Sequence, residues 1–274
     1  TTGLGKRVSS FLDARDIQLM AERMIREMGN GTKPSNNTKA KVSQFSQLNT
    51  PQSQINAVRK KYEGTDQWMK APNGEPTKLN EMQWAQVRTD NFKAWFGDWE
   101  NDPANASKVV DENGEPLVVY HGTKGRFTAF DPSKQQNGWL SKGFYFTDDK
   151  PSAKSFGRSV FSVFLNVKSP FVVKGEDTSS FVSEVKKAYL SESDDMPINL
   201  TPVLERNGHD GAFVSHWDFG RIYTSFNPTQ IKSATDNTGE FSPTNPDIRF
   251  SRTEQKPRSA TLDNFIAKAI AEKA

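Results

Sequence analysis

Between residues 10 and 28 the apolar side chains Phe11, Leu12, Ile17, Met20, Met24, Ile25 and Met28 recur near a 3.6-residue period, and Gly29 follows them. That spacing predicts an amphipathic helix with a glycine supplying the left-handed stop. From Asn30 to Asn56 the chain turns to Asn, Ser, Gln, Thr and Lys, with too few large apolar groups to offset the entropy of ordering, so a polar linker is expected. Pro51, favoured in a first helical turn, opens a short helix through Ile55 and Val58 to Tyr62.

Trp68, Trp84, Trp95 and Trp99 crowd the next stretch, an aromatic density that points to packing rather than to a base-stacking platform, because no basic run interleaves with it. Met69 to Leu79 predicts two short strands about the Asn73-Gly74 turn. Asn80 can cap a helix whose third residue, Gln83, reaches back as in a capping box, with Leu79 and Trp84 as the hydrophobic staple. A second helix, capped by Thr89 or Asp90, carries Phe92, Trp95 and Phe96 and ends at Gly97.

From Val109 the texture changes to short apolar runs broken by turns. Strands are expected at Val109-Val110, Leu117–Tyr120, Gly143–Thr147, a bent pair at Val160–Val167 and Pro170–Val173, then Ala212–Ser215, Ile222–Phe226 and Ile231–Ala234. Inside this region the pattern shows two helices, a short one at Pro151–Phe156 and a longer one at Thr178–Leu190. Few helices among short strands favour an α+β fold with a mixed, largely antiparallel sheet over a doubly wound parallel one. The expected organisation is an N-terminal helix (1–29), linker and short helix (30–62), Trp-rich lead-in (63–108), main domain (109–250) and a basic tail (251–274). In the tail, Leu262, Phe265, Ile266 and Ile270 suggest a closing helix.

Composition removes whole classes. With no cysteine in 274 residues there is no disulfide framework, thiol chemistry or cysteine-bound zinc, and three histidines without helical pair spacing give no support for a metal site. Lys and Arg (36) nearly balance Asp and Glu (33), so the net charge of +3 names no partner. No apolar run is long enough to span a bilayer and no signal-peptide core follows the first basic residues, so no membrane role is expected. The chain begins at Thr1 rather than Met, as a processed product or a piece of a longer chain would. Walker A, GxSxG, HExxH and Rossmann glycine patterns are absent from the sequence.

The search therefore narrows to His, Tyr and acids at strand ends. His121 closes the run Leu117–Tyr120 and precedes Gly122-Thr123, where missing bulk lets a ligand approach the backbone. On its own a lone histidine is more often structural, and Tyr145 an ordinary strand aromatic. Taken together, Tyr120-His121-Gly122-Thr123, Ser141-Lys142-Gly143-Phe144-Tyr145-Phe146-Thr147-Asp148 and Ser152-Ala153-Lys154-Ser155-Phe156 resemble, in order and spacing, the NAD-binding core of diphtheria-toxin-like and poly(ADP-ribose)-polymerase-like ADP-ribosyltransferases. The stretches Met69–Glu100 and Asp210–Phe250, including Phe226-Asn227-Pro228-Thr229-Gln230-Ile231-Lys232-Ser233, resemble the ADP-ribosyltransferase domains of phage polyvalent proteins and their prophage relatives. The likeness covers residues 68–250.

The resemblance implies a split-sheet fold and NAD+ as substrate, with no metal. By motif position His121 bonds the NAD ribose, the Gly122 backbone with Thr123 holds the carboxamide, and Tyr145 and Phe156 sandwich the nicotinamide. Ser155 or Ser152 can reach the carboxamide, although the family's serine aligns with Ala153. Arg126, Lys142 and Arg221 are candidates for the phosphates. The family's glutamate falls on Ile222, which leaves three readings: a transferase of the isoleucine-bearing type whose substrate supplies the acid, an acid from elsewhere (Asp218, Asp210 or Glu240), or a chain that binds NAD and turns over little.

The implied function is mono-ADP-ribosylation of a macromolecule, protein, RNA or DNA, in a bacterial host cytoplasm, by an effector delivered with a virion or secreted. A virion or immunity protein is a further partner. Arginine is disfavoured as the target because the ExE pair of the arginine-modifying branch is missing. The alternatives are a catalytically weak NAD or ADP-ribose-binding module and a phage internal structural protein docking through its helical ends. A metal-free nuclease ranks below both, since no paired acid and base stand out.

Overall fold

The structure, a computed structural model, describes residues 51–138, 140–173, 180–191, 199–216 and 219–249. The helix expected at 10–28, residues 30–50 of the linker and the basic tail with its helix all lie outside the described residues.

Helix α1 (Pro51–Tyr62) buries Ile55. In α2 (Glu81–Gln86) Asn80 accepts from the Gln83 amide while the Gln83 side chain reaches back to the Asn80 N–H, the expected capping box. Thr89 caps α3 (Asp90–Phe96), and Gly97 ends it at φ 101°. The strand pair expected around Asn73-Gly74 shrinks to one bridge, Lys70 to Pro76. Its two bonds, Thr77 N to Met69 O (3.1 Å) and Ala71 N to Glu75 O (2.8 Å), flank that pair, and Met69 at φ 56° takes the backbone out of strand conformation. Around Asn113-Gly114 the pairing likewise reduces to Val110 with Pro116.

One mixed sheet follows: β1 (Val119–Thr123), β2 (Gln136–Gly138), β3 (Ser141–Thr147), β4 (Ser159–Leu165), β5 (Pro170–Val172), β6 (Gly211–His216), β7 (Gly220–Ser225) and β8 (Ile231–Ser233). The order is β5-β6-β7-β3-β1-β4-β8 with β2 paired to β3; β5–β6 is the parallel pair among them. Helix α4 (Lys150–Ser155) follows β3, and α5 (Ser180–Tyr189) and α6 (Thr201–Arg206) lie between β5 and β6 in the chain. The α+β class expected from the pattern is the class found.

Three further expectations change. His121 does not close its strand but lies inside β1, because pairing with β4 extends it to Thr123 opposite Ser159. The expected pair β4 and β5 is separated across the sheet: β4 joins β1 and β8, while β5 runs parallel to β6 at the other edge. Helix α6 was not expected. Its first amides, Leu200 N and Thr201 N, bond the Ser141 hydroxyl, a cap supplied by β3 and therefore invisible in the local sequence.

Strand alternation divides the core. Val119, Phe144, Phe146, Val163, Phe213 and Tyr223 share one face with Phe130. On the other face α5 and α6 cover Ala212, Val214 and Ile222, while the lead-in helices cover Phe164. The lead-in is tied to the sheet side by polar bonds from Trp95 Nε1 to Thr229 O (3.1 Å) and Gln83 Nε2 to Ala234 O (3.1 Å). Its centre is Arg88, which lies 3.8 Å over the Trp84 ring and bonds Glu115 at 2.8 Å, with both side chains buried. Lys232, also buried, donates to Asn245 O and to Asp247 O and so holds the loop after β8.

Candidate functional site

Strands β1 and β3 share a single register pair, Tyr120 with Thr147. Where the strands part, the His121 imidazole takes the place of a ladder bond: Nδ1 lies 2.8 Å from Tyr145 O. A carbonyl only accepts, so Nδ1 carries the hydrogen and Nε2 presents a lone pair. The ring is half-buried and meets Phe130 edge-on at 5.0 Å, with Phe146 at 5.5 Å and Phe127 at 6.4 Å. Burial among these rings pushes the His121 pKa below the ordinary histidine value, against the opposing pull of the Tyr145 carbonyl. The imidazole is therefore a neutral acceptor at neutral pH.

Tyr145 is locked by its own hairpin. Its hydroxyl donates to Ser141 O and accepts from Leu140 N at 2.9 Å, and burial pushes the phenol pKa up. Gly138 is required beneath it, because a Cβ there would lie 2.6 Å from the ring. Ser141 makes this turn at φ 70°, and its hydroxyl donates to Asn199 Oδ1 at 2.7 Å. The pattern of the chain does not show these anchors; a local hint is Gly138, which ends β2 three residues before Ser141 opens β3.

Helix α4 is seated on β1 through Gly122. A Cβ at Gly122 would fall 1.7 Å from Ala153 O and 3.1 Å from Phe156 Cβ, so bare backbone is what lets α4 deliver Phe156 to the split. Phe156 is 54% exposed, and its ring centroid lies 5.7 Å from that of Phe219, an aromatic the sequence reading did not select. Thr123 is half-buried opposite Ser159. Both serines are engaged within α4: Ser155 donates to Ser152 O at 2.7 Å, and Ser152 bonds the capping carboxylate of Asp149. Arg126 and Lys142 are exposed. Arg221 is exposed too.

The acid candidates are dispersed. Ile222 pairs with Thr147, two residues from Tyr145, but is packed with Leu140, Val214 and Phe226. Asp210 spends its carboxylate on Lys168 N and Ser169 N, 2.8 Å each, at the turn into β5. Glu240 follows Gly239, whose carbonyl accepts from Asn91 of α3 at 3.0 Å, so it sits with the lead-in helices. Asp218 lies outside the described residues. Asp148, next to Thr147, uses Oδ1 to accept from Arg221 N at 2.9 Å and thereby closes the start of β7. Among the described residues no group of three or more His, Asp or Glu is arranged to hold a metal, and no helix is long and apolar enough to cross a membrane.

The family model described as ADP-ribosyltransferase in polyvalent proteins matches residues 111–241. No curated protein matches the chain. Among solved structures, the crystal structure of an anti-CRISPR protein matches at 14% identity, covering 42% of this chain and 91% of that chain with a TM-score of 0.27. That likeness is too slight to carry an argument.

Proposed function

Since residues 111–241 are an ADP-ribosyltransferase domain of the polyvalent-protein type, we propose that the chain cleaves NAD+ at the nicotinamide–ribose bond and passes ADP-ribose to a macromolecular acceptor. In this reading NAD lies in the split between β1 and β3. The neutral Nε2 of His121 accepts a hydrogen bond from a ribose hydroxyl, and the Gly122 backbone holds the carboxamide. Tyr145, whose hydroxyl is already spent on Ser141 and Leu140, offers a ring face to the nicotinamide, and Phe156 offers the other. A flat cationic ring gains about 0.5–2 kcal/mol from each such face.

The observation that carries the reading is the convergence of three separate elements. His121 on β1 is bonded to the backbone of Tyr145 on β3, and α4 is drawn onto β1 by the bare Gly122 so that Phe156 arrives beside it. Because Ile222 is apolar and packed, the positive charge developing on the ribose finds no carboxylate at the family's glutamate position. We assign that task to the acceptor, which makes the chain an effector-like mono-ADP-ribosyltransferase acting inside a bacterial host, with residues 109–250 as its catalytic unit. A second reading, an NAD-binding module with little turnover, is favoured by the same Ile222. Incubation with adenylate-labelled NAD and bacterial lysate separates them: label transferred to protein or nucleic acid supports the transferase, and NAD binding with neither release nor transfer supports the module.

A further inference from the structure

Charge is segregated around the split. Residues 119–130 and 150–170 contain Lys124, Arg126, Lys150, Lys154, Arg158 and Lys168 and no Asp or Glu. The β1–β4 pairing brings the two segments together, with Thr123 opposite Ser159. Gly157 tightens this contact, since a Cβ there would lie 2.3 Å from Thr123 C and 2.9 Å from Lys124 N. Phe156-Gly157-Arg158 therefore lies directly against Thr123-Lys124. Lys124, Arg126, Lys154 and Arg158 are all exposed, and among the described residues none of the four forms an ion pair. The acids that border the segments are occupied locally: Asp131 accepts from Ser133 N at 2.9 Å and Asp149 caps α4.

In a chain whose charges nearly balance, this four-cation collar is a local positive field that no ion pair among the described residues neutralises. It borders aromatic surface: the 54% exposed Phe156, one face of which the NAD reading gives to the nicotinamide, stands between Lys154 and Arg158, and the Phe219 ring lies 5.7 Å from it, tilted by 46°. Cations that follow a phosphate backbone, set beside aromatic faces on which unpaired bases stack, are what single strands require. A duplex would not expose base faces to these rings.

We infer that the collar of Lys124, Arg126, Lys154 and Arg158 docks single-stranded nucleic acid, which serves as the ADP-ribose acceptor. The inference rests on the transferase reading. It also answers the missing carboxylate at Ile222, because a docked strand brings phosphodiester charge to the mouth of the split. In the transfer, a base or hydroxyl nucleophile bonds to ribose C1′ as the C1′–nicotinamide bond breaks. The electron pair leaves with neutral nicotinamide, and the acceptor proton passes to water.

The test uses the full chain with a short fluorescent single strand, DNA and RNA in separate arms, and reads anisotropy against salt. If all four cations meet phosphates, log K falls against log salt with a slope of about −3, at roughly 0.7 per contact on single strands. The double variant Lys154→Gln/Arg158→Gln is expected to flatten that slope by about 1.4 and to weaken low-salt binding more than tenfold. It should leave strand-free nicotinamide release unchanged. Labelled NAD should then tag the strand in the wild-type chain and not in the variant. Absence of strand binding, a slope unchanged in the variant, or label appearing on protein while the strand stays bare each overturns the inference. Strand binding beside a wild-type chain that releases no nicotinamide under any condition overturns the transferase reading, and the acceptor role falls with it.

Discussion

Gly122→Ala is the substitution whose consequence follows most directly from the geometry. The added Cβ would lie 1.7 Å from Ala153 O, and that partner is helix backbone, which cannot rotate away as a side chain could. Either β1 or α4 must move by more than an ångström. Overpacking of this kind costs about 1–3 kcal/mol, and for a chain of this size each kcal/mol lowers the melting temperature by about 2–4 °C. The expected loss is therefore about 2–12 °C. Because Phe156 Cβ sits 3.1 Å from the same added atom, the shift would, in the proposed NAD pose, also withdraw one aromatic face from the nicotinamide, worth about 0.5–2 kcal/mol, or a factor of about 2–30 in NAD KM. Gly125→Ala is the control, since nothing lies within 4 Å of a Cβ there, and it should behave as wild type in both respects. Differential scanning calorimetry and initial rates of nicotinamide release read the two effects separately. A Gly122→Ala chain with unchanged melting temperature and unchanged KM would refute the claim that α4 is seated through this glycine.

Three further outcomes are expected. Since the His121 pKa lies below the ordinary histidine value, the folded state binds fewer protons there than the unfolded chain. Its contribution to stability is complete above about pH 6.5 and is lost as pH falls through the lowered value; NAD affinity by calorimetry should decline over the same acidic window. Lys232 is depressed by burial to about 8, so stability in urea titrations should rise between about pH 8 and 10.5, and Lys232→Met should remove that rise. Glu115→Ala strands the buried Arg88 guanidinium beside Glu100 alone at 3.3 Å and should cost about 3–5 kcal/mol in chemical denaturation, while Glu112→Ala, which breaks the solvent-exposed pair with Lys78, should leave the same measurement unchanged.

What the sequence makes legible is what neighbouring residues determine. The capping box at Asn80 and Gln83 and the Thr89 and Gly97 ends of α3 depend on contacts three or four residues long, and they stand where the pattern predicts them. Helix α6 depends on a hydroxyl some sixty residues away, and the destinations of β4 and β5 depend on which strands are free to pair, so neither is written locally. The site divides in the same way. His121, Gly122, Tyr145 and Phe156 stand out through a motif in fixed order along the chain. The Phe127 and Phe130 rings that depress the His121 pKa, and the Ser141 turn that fixes the Tyr145 hydroxyl, become visible only once the strands are paired. Proximity likewise sorts the acids, for Asp210 follows a plausible spacing but is spent on the amides of Lys168 and Ser169.

The central claim is that the split between β1 and β3 holds NAD through His121 and Tyr145 for cleavage. Nicotinamide release by the purified chain, compared with the double variant His121→Ala/Tyr145→Ala shown by circular dichroism to be folded, tests it most directly. The account predicts release by the wild-type chain and its near-complete loss in the variant. Equal release by a folded double variant would contradict it.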